Sequence, residues 1–176
     1  HADNCKEYRW MEDVHWLYRT TLDAPAIEKD QRLFFVCGGV DYRFAIRLNG
    51  AVLHEQEGMY TPVELDLTER VASGDTLEVL VFPAPNSHAE PVDRSQANAC
   101  CKPAVSYGWD FHPRLIPLGI WRETYLEVRP LTHLCHAEVH YDLNNDLSRA
   151  DVRLEVALAA SAENLLCWRL FDPAGE

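Results

Sequence analysis

Short runs of alternating apolar and polar residues constrain the fold of this chain more than any other feature. In the run RFAIRL at 43–48 every second side chain is apolar, so an extended strand would have one apolar and one polar face. Asn49-Gly50 follows, and the run AVLHE comes directly after it. Asn-Gly between two such runs is a strong hairpin signal, because a type I′ turn needs a positive φ at both central residues. The sequence therefore predicts a β-hairpin centred on Asn49-Gly50.

Similar runs recur along the chain and predict an all-β fold. Tyr18-Arg19 falls in an early strand, where we expect it to serve sheet pairing. Asp66 through Gly74 carries a helix-capping pattern and predicts one or two helical turns, and no long helical pattern is present. The spacing favours a β-sandwich or jelly roll. The remaining predicted strands are RLFFVC (32–37), VELDL (63–67), TLEVLVF (76–82), WRETYLEV (121–128), AEVHYDL (137–143), DVRLEVALA (151–159) and LLCWRLF (165–171).

Proline placement predicts the domain organisation. Six of the ten prolines lie between Pro83 and Pro117, where strand signals are few. A connection of this length is typical of a functional loop or of disorder. Pro130 marks a boundary, which predicts one domain over 1–130 and a second over 131–176. The second stretch is well short of the ~100 residues of an immunoglobulin-like sandwich, so we expect a truncated domain.

The charge balance argues against several classes of partner. The formal net charge is −12, from 28 acidic and 16 basic residues. Nucleic-acid binding needs clustered basic residues, so we expect no nucleic-acid partner.

We also expect no membrane partner, because no apolar run approaches the ~18–20 residues of a spanning helix. The chain begins without Met and without a signal-peptide pattern, which suggests a processed or excised piece. The cellular compartment is left open.

The six cysteines do not define a disulfide framework. They occupy positions 5, 37, 100, 101, 135 and 167, and six cysteines permit about 15 pairings. Cys37 ends an apolar run and Cys167 lies inside another. We therefore expect both to be buried as small hydrophobic residues.

The stretch SYGWDFHPRLIPLGIW at 106–121 is the candidate functional loop. A sugar ring presents apolar C–H faces and a rim of hydroxyls, which an aromatic plate and a neighbouring carboxylate or guanidinium can bind. Trp109 and Asp110 supply both groups, and Arg114 could orient the carboxylate. These three are the predicted substrate-binding residues. The aromatic residues of this loop fit equally well a plug that closes one end of the sandwich, and composition alone does not choose.

A second candidate, HLCHAEVH, contains His133, Cys135, His136 and His140. Imidazole and thiolate bind zinc. On a straight strand, however, His136 and His140 share a face but lie roughly 13 Å apart at ~3.3 Å per residue. His133 and Cys135 fall on the opposite face. We therefore expect a solvent-facing histidine strand, with no metal and no cofactor.

Several motifs together carry a family resemblance. In order they are LYRT, LFF…GGVDYRFAIRLNG, EGMYTPVELDLT and SYGWDFHPRLIPLGIWRETYLEV, spread over about residues 10–170. This order resembles the N-terminal sugar-binding domain of glycoside hydrolase family 2, followed by the start of that family's immunoglobulin-like domain. The resemblance implies a galactose-binding-like jelly roll, whose first strand is missing before His1, and then a partial immunoglobulin-like sandwich.

The Gly-Trp-Asp element is most similar to the β-mannosidase branch of that family. There the Trp-Asp pair reaches the substrate pocket of a separate catalytic barrel, which implies a sugar-contacting role for Trp109 and Asp110. Phe111 and His112 depart from the Trp and Gly that the branch usually shows. The sugar therefore stays open, with β-galactosidase and glucosaminidase relatives as alternatives.

The resemblance also implies that the chemistry belongs to another part of the parent protein. Retaining hydrolysis needs two carboxyl groups about 5–5.5 Å apart, supplied in this family by a (β/α)₈ barrel of ~250 residues. This chain lacks that pattern and the family's Asn-Glu dipeptide. We expect no catalytic residue and no hydrolysis here, and a retaining glycosidase as the full-length parent.

Three functional hypotheses follow for the chain itself. The first is a non-catalytic domain that shapes the pocket of a family 2 glycoside hydrolase, with a carbohydrate substrate and the parent's barrel as partners. The second is an independent carbohydrate-binding module, and the third is a purely structural scaffold. A homo-oligomer is compatible with each of them.

Overall fold

The computed structural model describes residues 2–85, 94–160 and 163–171. Part of the proline-rich connection, residues 86–93, lies outside this range. Eleven strands and three 3-10 helices, Ala2–Asp13, Arg94–Ala99 and Ala104–Tyr107, are present in the described residues. The all-β prediction is confirmed. The strands are β1 (Trp16–Thr21), β2 (Gln31–Cys37), β3 (Val40–Asp41), β4 (Arg43–Leu48), β5 (Ala51–Glu57), β6 (Val63–Asp66), β7 (Thr76–Val81), β8 (Gly119–Ile120), β9 (Thr124–Pro130), β10 (His133–Leu143) and β11 (Ala150–Ala159).

One antiparallel sheet has the strand order β1-β7-β4-β5. The hairpin between β4 and β5 turns at Asn49-Gly50, with φ angles of 50° and 83°. The Asn49 side chain also receives a hydrogen bond from Thr76 N at 2.9 Å and donates one to Asp75 at 2.8 Å. The predicted hairpin is therefore confirmed, and its turn is tied to the start of β7.

A second sheet, with the order β6-β2-β9, faces the first across one apolar core. Most of β2 is buried, with buried residues on both of its faces. Because the inward residues of the two sheets form a single cluster, the two sheets form a β-sandwich. Its most buried members are Cys37 in β2, Phe44 and Ile46 in β4, Val81 in β7 and Leu67.

The predicted helical turns at 66–74 are wrong, because this segment forms hydrogen-bonded turns instead. The capping interaction does form, since Asp66 Oδ1 accepts a hydrogen bond from Thr68 N at 2.9 Å. However, Leu67 N donates to Leu33 O at 2.8 Å and Thr68 Oγ1 accepts from Leu33 N at 3.0 Å. These bonds extend the β2–β6 pairing beyond Asp66 and so hold Leu67 and Thr68 against Leu33 rather than in a helical turn.

The chain divides into two compact units, His1–Ile27 with Leu33–Val128, and Glu28–Arg32 with Arg129–Glu176. In the second unit β10 and β11 form an antiparallel hairpin, with a register shift between Leu134 and His136. Most side chains of both strands are exposed. An immunoglobulin-like identity for this unit stays a prediction.

The predicted strand LLCWRLF is wrong, because the structure assigns no strand to 163–171. Cys167 is exposed, whereas the sequence predicted it buried. The apolar alternation favours an extended chain, but a strand also needs a neighbour for its backbone hydrogen bonds. Cys37 is buried as predicted, and all six cysteines are free thiols. None of the helices in the described residues is long and apolar enough to cross a membrane.

Candidate functional site: a surface hairpin at Trp109 and Asp110

The predicted functional loop runs from the end of the 3-10 helix Ala104–Tyr107 to β8. Gly108 follows this helix with φ of 115°, a left-handed value that an L side chain rarely adopts. Its backbone N–H donates to Val105 O at 3.1 Å. Gly108 therefore redirects the chain immediately before Trp109.

Trp109 and His112 close a tight turn by exchanging two backbone hydrogen bonds. Trp109 N donates to His112 O at 2.9 Å, and His112 N donates to Trp109 O at 3.1 Å. Asp110 and Phe111 form the tip of this turn. We call residues 109–112 the tip hairpin.

The side chains of the tip hairpin are displayed at the surface. Trp109 is 43% exposed and Phe111 82% exposed, and Asp110 is also exposed. Tyr107, just before the hairpin, is only 1% exposed. Tyr107 therefore fits the plug interpretation, whereas the Phe111 ring is mostly exposed and the Trp109 indole is partly exposed, next to the Asp110 carboxylate.

The sequence suggested that Arg114 orients the Asp110 carboxylate. In the structure Arg114 is instead hydrogen-bonded to Glu12. Its Nη2 donates to Glu12 Oε1 at 2.7 Å, and its Nε lies 3.0 and 3.2 Å from the two carboxylate oxygens. Both residues are buried, at 6% and 8% exposure. The guanidinium also lies over the ring of Tyr107, 5.3 Å from its centroid.

A second buried ion pair, Lys102 with Asp41, holds the other end of the loop. Lys102 Nζ bonds the Asp41 carboxylate and also donates to Pro117 O at 2.8 Å. Burial raises the pKa of Asp41, and the hydrogen bond and positive charge of Lys102 oppose this shift. Burial likewise lowers the pKa of Lys102, with Asp41 acting in the opposite direction. For each residue desolvation is the larger effect.

Tyr107 packs under the Arg114 guanidinium and is held at its hydroxyl. Its hydroxyl donates to Pro85 O at 2.6 Å and lies 3.5 Å from Cys100 Sγ. Burial first, and the Cys100 thiol second, raise the pKa of this phenol. Tyr107 thus remains neutral, and its hydroxyl donates a hydrogen bond to the backbone.

Sequence reasoning missed Glu12, Asp41 and Lys102. Glu12 lies in a polar N-terminal stretch, 102 positions from the arginine that it binds. Local periodicity carries no signal for contacts of this range. The sequence offered one indication of a buried ion pair, because Lys102 is the only charged residue between Arg94 and Asp110.

Two cavities lie near the loop in the same unit. One, of about 320 Å³, is lined by apolar residues of the N-terminal helix and of 115–118. The other, of about 420 Å³, is lined by residues of β2 and β9 and by Trp121. Neither is lined by Trp109 or Asp110. The tip hairpin therefore lies outside both of these cavities.

The histidine strand, β10, is mostly exposed, and its imidazoles lie beside carbonyl and carboxylate oxygens. His133 Nδ1 lies 2.8 Å from Pro130 O, and Cys135 is exposed. His140 Nε2 lies 3.7 Å from a carboxylate oxygen of Glu138 and of Glu155.

Glu138, His140 and Glu155 are side chains of types that bind divalent cations, and their ligand atoms lie within 4.8 Å of one another. Glu155 already pairs with Arg153 at 3.0 Å, and Glu138 lies 3.5 Å from His136. Glu155 therefore already has a cationic partner in Arg153. Glu138 Oε2 lies 3.5 Å from His136 Nε2 and 3.7 Å from His140 Nε2, so the two histidines of the predicted shared face contact the same carboxylate.

Comparison with known proteins adds a family and a set of relatives. The model of the family described as "Glycosyl hydrolase 2 galactose-binding domain-like" matches residues 1–122. A β-mannosidase B of Aspergillus clavatus is 29% identical over 136 residues, which are 69% of this chain and 16% of that protein. A β-mannosidase B of Thermothelomyces thermophilus is 22% identical over 170 residues, 89% of this chain and 20% of that protein.

A solved structure shares the fold. The β-D-mannosidase of Dictyoglomus thermophilum superposes with a TM-score of 0.71 at 23% identity, covering 89% of this chain and 21% of that one. The chain thus spans about a fifth or less of the length of each of these three relatives. At this identity the structural likeness supports the β-sandwich architecture.

Proposed function

The chain belongs to the glycosyl hydrolase 2 galactose-binding domain-like family, and from this premise we propose that it is a non-catalytic domain of a β-mannosidase-like glycoside hydrolase. In this proposal Trp109 and Asp110 contribute to the sugar pocket of the parent enzyme. The catalytic carboxyl groups come from a barrel domain elsewhere in the parent. A terminal β-mannoside is the first substrate class to test, because the relatives named above are β-mannosidases.

The display of the tip hairpin is the observation that carries the proposal. Trp109 and Asp110 are adjacent, exposed and held by a closed turn. An indole face packs against the C–H face of a pyranose, and a carboxylate accepts hydrogen bonds from its hydroxyls. Because the turn is already formed, little ordering entropy opposes binding.

Arg114 has an indirect part in this proposal. Its guanidinium is bonded to Glu12 and buried, so a direct contact with substrate would require that ion pair to open. Direct substrate binding by Arg114, which the sequence suggested, therefore stays a prediction. The pocket itself is completed by the parent's barrel, which agrees with the exposed position of the tip hairpin.

The proposal is tested by steady-state kinetics of the full-length parent with Asp110→Ala. Hydrogen bonds to a charged group contribute roughly 1.5–3 kcal/mol each. If they tighten in the transition state, kcat/KM should fall about 100-fold. Glu55→Ala, an exposed carboxylate on β5, is the matched control and should have wild-type kinetics. Wild-type kinetics of Asp110→Ala would refute the proposal.

An independent carbohydrate-binding module is the second candidate, favoured by the accessibility of Trp109 and Asp110 in this chain alone. It predicts that the 176 residues bind sugars with millimolar or tighter affinity in a calorimetric titration. The accessory-domain proposal predicts weaker binding, because one part of the pocket is elsewhere. A purely structural role is less well supported, because Arg114 pairs with Glu12 and leaves the Asp110 carboxylate exposed.

A further inference from the structure

The ion pair between Glu12 and Arg114 joins the tip hairpin to the N-terminal 3-10 helix. Arg114 lies two residues after His112, where the tip hairpin ends. Glu12 lies near the end of the helix Ala2–Asp13. The guanidinium meets the carboxylate through two nitrogens, with N–O distances between 2.7 and 3.2 Å. This fork geometry fixes direction as well as distance.

Both partners are themselves held by neighbouring groups. Glu12 O accepts a hydrogen bond from Ala84 N at 2.7 Å, just beyond the end of β7. Leu115 N, next to Arg114, donates to Ser106 O at 3.0 Å. The ring of Tyr107 lies under the guanidinium. The ion pair thus fixes the loop that bears the tip hairpin relative to the sandwich.

Fold stability alone gives a poor account of this pair. Burying two charges costs several kcal/mol per ion, and apolar residues of similar volume often stabilise a protein as well or better. An apolar pair would not fix the orientation of the two side chains relative to each other. Arg114 Nη1, buried and without a hydrogen-bond partner among the described residues, adds a further cost that apolar packing would avoid.

We propose that Glu12 and Arg114 are positioning residues that set the location of Trp109 and Asp110 relative to the substrate. The inference rests on the proposed function, because it assigns these two residues a role in the same site. Neither residue contacts the sugar in this view. They act through the tip hairpin, and a displacement of it by about 1 Å would weaken transition-state contacts.

The test is Arg114→Lys in the full-length protein, which keeps the charge and loses the fork. We expect kcat to fall about tenfold or more with little change in KM, since the contacts concerned tighten in the transition state. Hydrogen exchange at the amides of Trp109 and His112 should become faster. The free energy of unfolding should change much less than in a variant that leaves a charge unpaired. Glu12→Gln tests the partner with the same kinetic and exchange readouts, and because it leaves the Arg114 charge unpaired it should lower the free energy of unfolding more than Arg114→Lys does.

The matched control is Arg19→Lys at the pair Arg19–Glu78, which joins β1 and β7 with a 2.7 Å contact and also buries its carboxylate. This variant should leave kcat and the exchange of the tip hairpin unchanged. A charge exchange, Glu12→Arg with Arg114→Glu, should recover part of the kcat lost by either single substitution. Such rescue is not expected of a residue that acts only by packing.

The outcomes separate the two proposals. Wild-type kcat for Arg114→Lys, together with impaired Asp110→Ala, overturns the positioning role and keeps the pocket role of the tip hairpin. Wild-type kinetics for Asp110→Ala overturns both. A loss of kcat in Arg114→Lys with unchanged amide exchange at Trp109 and His112 also overturns the positioning role, because the tip hairpin would then be undisturbed.

Discussion

Trp109 and His112 exchange two backbone hydrogen bonds, at 2.9 and 3.1 Å, and so hold Asp110 and Phe111 at the tip of a closed turn. Buried ion pairs secure the loop on both sides, Arg114 with Glu12 and Lys102 with Asp41. The exposed carboxylate and indole are therefore placed before any ligand arrives. Preorganisation of this kind increases affinity by lowering the entropy lost on binding.

Gly108→Ala should destabilise the chain and disturb the tip hairpin. The nearest atoms to a new Cβ, in Arg114, lie 4.0 Å away, so the cost comes from φ of 115° rather than from a clash. We expect a loss of about 1 kcal/mol or more in the free energy of unfolding, measured in urea. Gly50→Ala, which also has open space and φ of 83°, is the control. It should cost a similar amount and leave the parent's kinetics unchanged. Wild-type stability of Gly108→Ala would contradict the strained turn.

Lys102→Met should be strongly destabilising, because it leaves the Asp41 carboxylate buried and unpaired. Breaking one side of a buried pair costs about 3–5 kcal/mol. Arg149→Met breaks the pair with Asp151, which is 2.7 Å long and about 70% exposed on both sides, and should cost at most about 0.5 kcal/mol. Urea denaturation measures both variants. Equal losses would show that the buried pair does not hold the loop.

The raised pKa of Tyr107 predicts a loss of stability at alkaline pH. The folded state disfavours the phenolate, so the contribution of this group is complete below pH 10 and is lost as the pH rises above it, while the unfolded chain ionises. The difference in unfolding free energy between wild type and Tyr107→Phe should be constant from pH 7 to 9. Above pH 10 it should fall by about 1.4 kcal/mol per pH unit. A constant difference up to pH 11 would show that Tyr107 ionises freely in the folded state.

Local patterns predicted the parts of the fold that local interactions determine. The turn at Asn49-Gly50 needs only two residues with positive φ, and the sequence identified it. The segment after Asp66 has an equally clear capping pattern, but hydrogen bonds from Leu67 N to Leu33 O and from Leu33 N to Thr68 Oγ1 decide its conformation. Those bonds join positions 34 and 35 residues apart, which no local pattern encodes.

The same distinction applies to the candidate site. Trp109 and Asp110 were identified because an aromatic and an acid stand together between turn-forming residues. The partner of Arg114 was assigned to its near neighbour Asp110, whereas the structure pairs it with Glu12, 102 positions away. Burial explains this choice. A guanidinium in the interior needs a buried carboxylate, and Asp110 is at the surface.

A kinetic cycle between Asp110 and single sugar hydroxyls measures directly whether the tip hairpin contacts substrate. The rates of wild type and Asp110→Ala are compared on a β-mannoside and on its deoxy analogues, each lacking one hydroxyl. We predict a loss of about 100-fold on the complete sugar, and of less than about threefold on the analogue that lacks the contacted hydroxyl. The same loss on every analogue, or no loss on the complete sugar, would contradict a contact between Asp110 and the substrate.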